Sequence, residues 1–273
     1  MKVLLFSGDH PRHLFVHAAL RDALEVCGAV CMRREEILPE PPTGTSSHDA
    51  DNFRRHFRDR FATEQKYFGA AASSDVFAHV PVHACDVTTI NTPETAAFVK
   101  ECAPDVVVVF GAALIKEPVL SALPKDRINI HMGLSPWYRG AATLFWPFYN
   151  MQPQYCGATI HQIVPKADAG AIIHQAVPTL KKGDGIHDVA ARTVVQSSAE
   201  LVEVLKEREK RGHFIEVEQR TSGRLYRERD FRPEHLRVIY DLFNNDMVDA
   251  YLRGEIRNEA PELISGLDKT ALT

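Results

Sequence analysis

Two stretches of the sequence hold side chains able to do chemistry together. In Ile128-Asn129-Ile130-His131 the amide and the imidazole are two residues apart, and along a β-strand residues i and i+2 project to the same side. The pair combines a neutral hydrogen-bond donor with a titratable one. A chain reversal containing Gly133, Pro136 and Gly140 follows at once, so the pair should stand at the carboxyl end of its strand. The second stretch is Val164-Pro165-Lys166-Ala167-Asp168-Ala169-Gly170, a loop whose carboxylate sits among small residues that let backbone come close. If the strands bearing these stretches are neighbours, Asp168 can reach Asn129 and His131 and set the protonation of the imidazole. Alone, an Asn-x-His pair is a weak signal that reads more readily as a structural histidine. The loop is what turns the reading toward a site.

Holding such a set in place calls for a sheet, and the sequence supplies one. Lys2-Val3-Leu4-Leu5-Phe6 reads as a buried first strand ending in Ser7-Gly8, followed by a helix with Leu14, Ala18, Leu20 and Leu24 on one side and a second strand over 29–32. Residues 40–47 are rich in turn formers and read as a loop. A charged helix over 48–71 then places Phe53, Phe57, Phe61 and Phe68 on one side, a core-facing stripe. Thr92-Pro93-Glu94 should start a helix reaching Cys102. The four valines from Val106 to Val109 indicate a strand covered on both faces, as in a parallel sheet flanked by helices. A short helix over 116–122, the strand carrying Asn129 and His131, an aromatic helix near 142–150, and strands around 156–164 and 171–177 come next. A long helix should run over 186–211, with Asp184 as its N-cap and Gly212 as its stop. Beyond it, 214–217 and 223–226 read as a hairpin, and a helix from Pro233 to Gly254 should align Leu236, Tyr240, Phe243, Met247 and Tyr251. The expected fold is α/β, a Rossmann-like open and mostly parallel sheet with helices on both faces. It divides into a catalytic domain over 1–212 and a small C-terminal extension over 213–273. Ligands of such sheets bind at the carboxyl ends of strands, near a switch in strand order.

Composition closes other routes. Lys and Arg total 32 against 36 for Asp and Glu, a net charge of -4, which gives no field to attract nucleic acid. No apolar run approaches the roughly 20 residues of a membrane span, and the first one meets Gly8 too early for a signal peptide, so a cytoplasmic location is expected. Five cysteines, an odd and scattered set, read as reduced thiols, since Cys27 and Cys31 have no second half-site to hold a metal. Gly8 stands alone after the first strand, so the Gly-x-Gly-x-x-Gly turn of a nicotinamide-dependent oxidoreductase is missing.

Asn129-x-His131 with Pro136 beyond it, then Tyr138-Arg139-Gly140, then Gly157-Ala158-Thr159-Ile160-His161 and Asp168-Ala169-Gly170, together resemble the formyltransferases that use 10-formyltetrahydrofolate. The resemblance spans about residues 1–212 and is tightest over 106–175. It implies a catalytic set of Asn129, His131 and Asp168 with no metal. The first two would donate hydrogen bonds to the formyl oxygen as charge builds on it, and Asp168 would hold the imidazole in its useful state and help remove the amine proton. It also implies a folate pocket made by Phe110, Gly111 and Leu114 after the valine strand and by Ile163 and Val164 before the aspartate. Two departures stand out: Gly133 and Ser135 where many members have serine and leucine, and Ser7-Gly8-Asp9-His10-Pro11-Arg12-His13 in place of the common Gly-Thr-Pro loop.

The resemblance narrows the acceptor by exclusion. Transfer to methionyl-tRNA goes with a basic C-terminal barrel of about a hundred residues, and glycinamide ribonucleotide enzymes are shorter. Enzymes that hydrolyse 10-formyltetrahydrofolate carry an N-terminal regulatory domain. The branch left is the sugar-nucleotide N-formyltransferases of surface polysaccharide (lipopolysaccharide) biosynthesis, with methionyl-tRNA, glycinamide ribonucleotide and water kept as alternative acceptors. For a nucleotide sugar, Arg139 is the expected phosphate partner, with Arg33 and Arg34 as further candidates. Trp137 and Tyr138 are expected to stack on a ring, and His10 and Arg12 to meet an anionic part. The apolar side of the 233–254 helix should either dock on its own sheet or pair two subunits.

Overall fold

The computed structural model describes residues 1–71, 74–221, 223–257 and 259–267. Five parallel strands form its centre: β1 (Lys2–Gly8), β2 (Glu25–Met32), β3 (Val82–Cys85), β4 (Val106–Phe110) and β5 (Asp126–His131). β6 (Tyr138–Gly140) leaves the sheet, β7 (Ala158–Gln162) returns to it antiparallel to β5, and β8 (Ile172–Ala176) pairs antiparallel with β7 at the edge. The seven-stranded order is β3-β2-β1-β4-β5-β7-β8. The chain therefore builds outward from β1 on one side, then restarts at β4 and builds outward on the other. The switch lies between β1 and β4, and a crevice at their carboxyl ends is the consequence.

Both faces of the sheet are dry, as the unbroken apolar runs require. Val3 and Leu5 of β1 and Val106 and Val108 of β4 pack with Val16 and Leu20 of α1 (Pro11–Ala23). Leu4, Phe6, Val107 and Val109 face the opposite side, against Val99 of α3 (Pro93–Cys102) and Val119 of α4 (Val119–Ala122). Between α1 and α3 in the chain comes α2 (Ser47–Phe68), whose N-cap Ser46 accepts from the Asp49 amide. α5 (Trp146–Tyr149) is a single aromatic turn. α6 (Ile186–Arg211) has the expected bounds and stops at Gly212 with a φ of 80°. Its N-cap is Gly185, however, because Asp184 is engaged by the Arg192 guanidinium and the Lys181 amide.

The C-terminal segment departs from its expectation. Residues 214–217 and 223–226 do not pair with each other. Val217 bridges to Ile172 at the edge of the large sheet, while β9 (Arg224–Tyr226) runs parallel to β6. The expected long helix is replaced by a 3-10 turn over Pro233–Leu236 and a π turn over Val238–Leu242, and it breaks before Met247 at Asn244 and Asn245, both at positive φ, a conformation Asn tolerates better than most residues. Only α7 (Met247–Leu252) remains α-helical. Its apolar side chains are covered within the chain: Leu236, Ile239, Met247 and Val248 share a cluster with Phe53, Tyr138, Phe145, Trp146 and Ile186. Burying such side chains stabilises by roughly 1.5–3 kcal/mol each. The segment thus docks within its own chain, on α2, α5 and the start of α6 rather than on the large sheet. No helix among the described residues is long and apolar enough to cross a membrane, and all five cysteines are free thiols.

Candidate active site

A cleft of about 850 Å³ opens at the carboxyl ends of β1, β4 and β5. Its wall includes Asn129, His131 and Asp168. The antiparallel return of β7 brings them together: Asn129 lies opposite His161, and His131 opposite Thr159. β7 then runs into the loop that carries Asp168.

Asp168 is held from three sides. Its Oδ2 accepts from the Gly140 amide at 2.9 Å. The Arg139 guanidinium donates to the neighbouring Ala167 carbonyl at 2.6 Å, and Gln219 Nε2 donates to the carbonyls of Asp168 and Gly170 at 3.0 and 2.7 Å. These contacts keep Asp168 at a φ of 47°, a left-handed backbone that persists when its surroundings over-determine it. Oδ2 lies 3.5 Å from His131 Nδ1, and Oδ1 lies 3.4 Å from His161 Nε2. Burial alone would raise the carboxyl pKa. Charge on the two imidazoles, when they are protonated, and the Gly140 N–H more than offset it and draw the group well below the usual carboxylate range.

The tautomer of His131 follows from its partners. Nε2 is 2.8 Å from the Tyr138 carbonyl, which can only accept, so Nε2 carries a hydrogen. Burial, opposed by Asp168 and the Tyr138 carbonyl, lowers the ring pKa below its ordinary value. Near neutral pH the ring is uncharged, with a bare Nδ1 turned toward Asp168. Asn129 Nδ2 donates to His161 Nε2 at 3.2 Å, while His161 Nδ1 donates to the Gln162 carbonyl at 2.8 Å. That leaves Asn129 its second amide hydrogen. Gly133 is sterically fixed: a Cβ there would stand 2.6 Å from both His131 Nε2 and the Tyr138 carbonyl oxygen. The glycine keeps the His131 hydrogen bond intact.

Phe110, Gly111, Leu114, Ile163 and Val164 all line the cleft. Gly111, however, serves a neighbouring side chain. Its φ is 72°, and a Cβ there would stand 2.2 Å from Nε2 of the buried His13, whose ring fills the space beside it.

Four expected acceptor contacts lie elsewhere. Arg139 is only 2% exposed and braces the Asp168 loop. Tyr138 is buried on Tyr226, with its hydroxyl donating to Gln152. Trp137 packs against Tyr155 outside the cleft. His10 is buried and donates to the Glu35 carbonyl. Neighbours in sequence alternate sides and turn inward, so proximity to the motif did not put them in the cleft. Arg12 does line it, paired with Glu64 at 2.8 Å, and so does Arg34, paired with Glu35 at 2.8 Å.

The sequence reading missed His161, although its place two residues after Thr159 on the returning strand was the available signal. It also missed His56, His187 and Phe231, drawn in by α2, α6 and the C-terminal segment. No group of three or more His, Cys, Asp or Glu side chains among the described residues is placed to hold a metal. The arrangement can move a proton at His131 Nδ1 and offer donors to a developing oxyanion.

The model of the formyl transferase family matches residues 60–205, more than half of the 273-residue chain. Among solved structures, an N-formyltransferase from Helicobacter canadensis, in complex with folinic acid and dTDP-3-aminofucose, is 15% identical with a TM-score of 0.55, covering 88% of this chain and 80% of that one. The formyltransferase PseJ from Anoxybacillus kamchatkensis, in complex with UDP-4,6-dideoxy-4-formamido-L-AltNAc and tetrahydrofolate, is 16% identical with a TM-score of 0.51, covering 90% and 96%. Phosphoribosylglycinamide formyltransferase from Anaplasma phagocytophilum is 16% identical with a TM-score of 0.52, covering 82% and 97%. At these identities the likeness is one of fold.

Proposed function

This chain belongs to the formyl transferase family and is a formyltransferase, and from that premise we propose that it moves the formyl group of 10-formyltetrahydrofolate to the amino group of a nucleotide-linked amino sugar. The observation that carries the chemistry is His131, with Nε2–H fixed on a carbonyl and a bare Nδ1 3.5 Å from a carboxylate, at the wall of a cleft. Folate as the donor is supported by the cleft wall at Phe110–Leu114 and Ile163–Val164 and by the tetrahydrofolate and folinic acid in the complexes of two fold relatives. The same two complexes hold sugar nucleotides, and they favour that acceptor class for a cleft this large. Surface polysaccharide is the expected destination of the product.

The amine of the acceptor attacks the formyl carbon, forming a C–N bond and a tetrahedral oxyanion. The second Asn129 amide hydrogen donates to that oxygen, the contribution usually largest in acyl transfer. His131 Nδ1 takes the proton lost by the amine. The imidazolium so formed is stabilised by Asp168 at Nδ1 and by the Tyr138 carbonyl at Nε2. Collapse breaks the bond to N10 of the folate, and the proton on His131 passes to that nitrogen. The products are the formamido sugar and tetrahydrofolate. His131 thus begins as a base and donates only after it is charged, where the sequence reading had it as a donor throughout.

The test is a screen of the purified chain with 10-formyltetrahydrofolate against UDP- and dTDP-linked amino sugars and glycinamide ribonucleotide, read by mass. A product heavier by one formyl group from a sugar nucleotide supports the reading. Formylation of glycinamide ribonucleotide alone refutes the acceptor assignment.

A further inference from the structure

One end of the cleft is built for a ring rather than for the reaction. His56 and Phe57 of α2, Phe145, His187 at the start of α6 and Phe231 of the C-terminal segment all line it. The rings of Phe145 and Phe231 meet edge to face with centroids 4.9 Å apart, and His56 lies 4.5 Å from His187. The residues expected to hold the pterin come from the loops after β4 and β7, so these rings form a separate wall.

Within it, His187 is 7% exposed and its Nε2 has no hydrogen-bond partner among the described residues. The ring's other interaction is with the His56 backbone, whose carbonyl requires an N–H donor. Nε2 is then an acceptor with no hydrogen, and burial, reinforced by Arg60, pulls the ring down to about 3, so it stays neutral. A buried acceptor left without a donor is destabilising, and a donor supplied by a ligand would relieve it. Beside it stands Arg60, its guanidinium 4.6 Å above the Phe57 ring, its Nε buried without a partner, and no carboxylate paired to it in any ion pair among the described residues.

Resting on the nucleotide-sugar reading, we propose that this wall is the base subsite of the acceptor. His187 Nε2 accepts the ring N–H of a pyrimidine dione stacked among the aromatic rings, and Arg60 meets an anionic oxygen of the same nucleotide. Uracil and thymine each carry one ring N–H between two carbonyls, which matches a lone neutral acceptor.

Titration calorimetry of the full chain with UDP and dTDP, which carry no amine and undergo no transfer, tests this. The unaltered protein should bind both, and His187→Phe and Arg60→Gln should each weaken binding at least about tenfold, the value of one hydrogen bond to a buried or charged group. Folinic acid affinity and the melting temperature control for folding. On the unaltered protein, N3-methyluridine 5′-diphosphate should bind at least about tenfold more weakly than UDP. Unchanged UDP binding in both variants, or equal binding of the methylated nucleotide, overturns the base subsite and leaves the nucleotide-sugar reading standing. Failure of the unaltered protein to bind either nucleotide overturns both.

Discussion

Replacing Asp168 with asparagine isolates the carboxylate charge, because an asparagine Oδ1 can still accept from the Gly140 amide. In the proposed cycle that charge acts only while His131 is an imidazolium, 3.5 Å away. At an effective dielectric of about 20, suited to a partly buried pair, the attraction is about 4–5 kcal/mol. Part of it survives through the amide dipole, so kcat should fall by about a hundredfold to a thousandfold. The KM for the folate should change little, since the lost interaction forms after binding. A second readout comes from pH. Neutral His131 is the working form, so kcat/KM should fall as pH drops through its pKa, which lies below about 6.5. Asp168 raises that pKa, so Asp168→Asn should move the acid limb to lower pH. Steady-state rates from about pH 5 to 9 measure both effects. A kcat within tenfold of the unaltered protein, or an acid limb that moves upward, would refute the reasoning.

Gly111→Ala forces a Cβ to 2.2 Å from His13 Nε2 at a φ of 72° and should destabilise the fold by roughly 2–4 kcal/mol, read by urea denaturation. Arg139→Met removes the brace on Ala167, worth roughly 1.5–3 kcal/mol as a charge-assisted hydrogen bond. It should lower kcat and the melting temperature, whereas a phosphate-binding role would raise the acceptor KM first. Burial depresses His13, His17, His56 and His187, with His17 at about 4 and His187 at about 3. Below about pH 6.5 the unfolded chain binds protons these folded rings refuse, so each loses about 1.4 kcal/mol of stability per pH unit until its folded pKa is reached. The melting temperature should therefore drop steeply between about pH 6.5 and 4; a flat curve would contradict the burial of these rings.

The readable parts of the fold were those set by local pattern. Four valines in a row reported a strand covered on both faces, and the apolar spacing of 186–211 with Gly212 reported α6 to the residue. The Asn129 and His131 pair was legible for the same reason, since strand alternation fixes a shared side. What depended on long-range pairing was not. Nothing local distinguishes a strand that returns antiparallel, as β7 does, from a parallel one, and so His161 went unassigned. Residues 214–217 and 223–226 have hairpin composition, yet their partners lie in two different sheets. Arg139 carries a charge that composition alone assigns to solvent or a ligand. Only the fold reveals that it is buried against the Ala167 carbonyl. The C-terminal segment looked like an addition, but its Gln219 grips the Asp168 loop and its Phe231 lines the cleft.

The account as a whole rests on formyl transfer through His131. Offered 10-formyltetrahydrofolate with an isotope-labelled formyl carbon and a UDP- or dTDP-linked amino sugar, the unaltered chain should place the label on the sugar nitrogen. His131→Ala, folded and still binding folinic acid, should leave the label on the folate. Label released as formate by the unaltered chain, or transferred to the sugar undiminished by His131→Ala, would contradict the account.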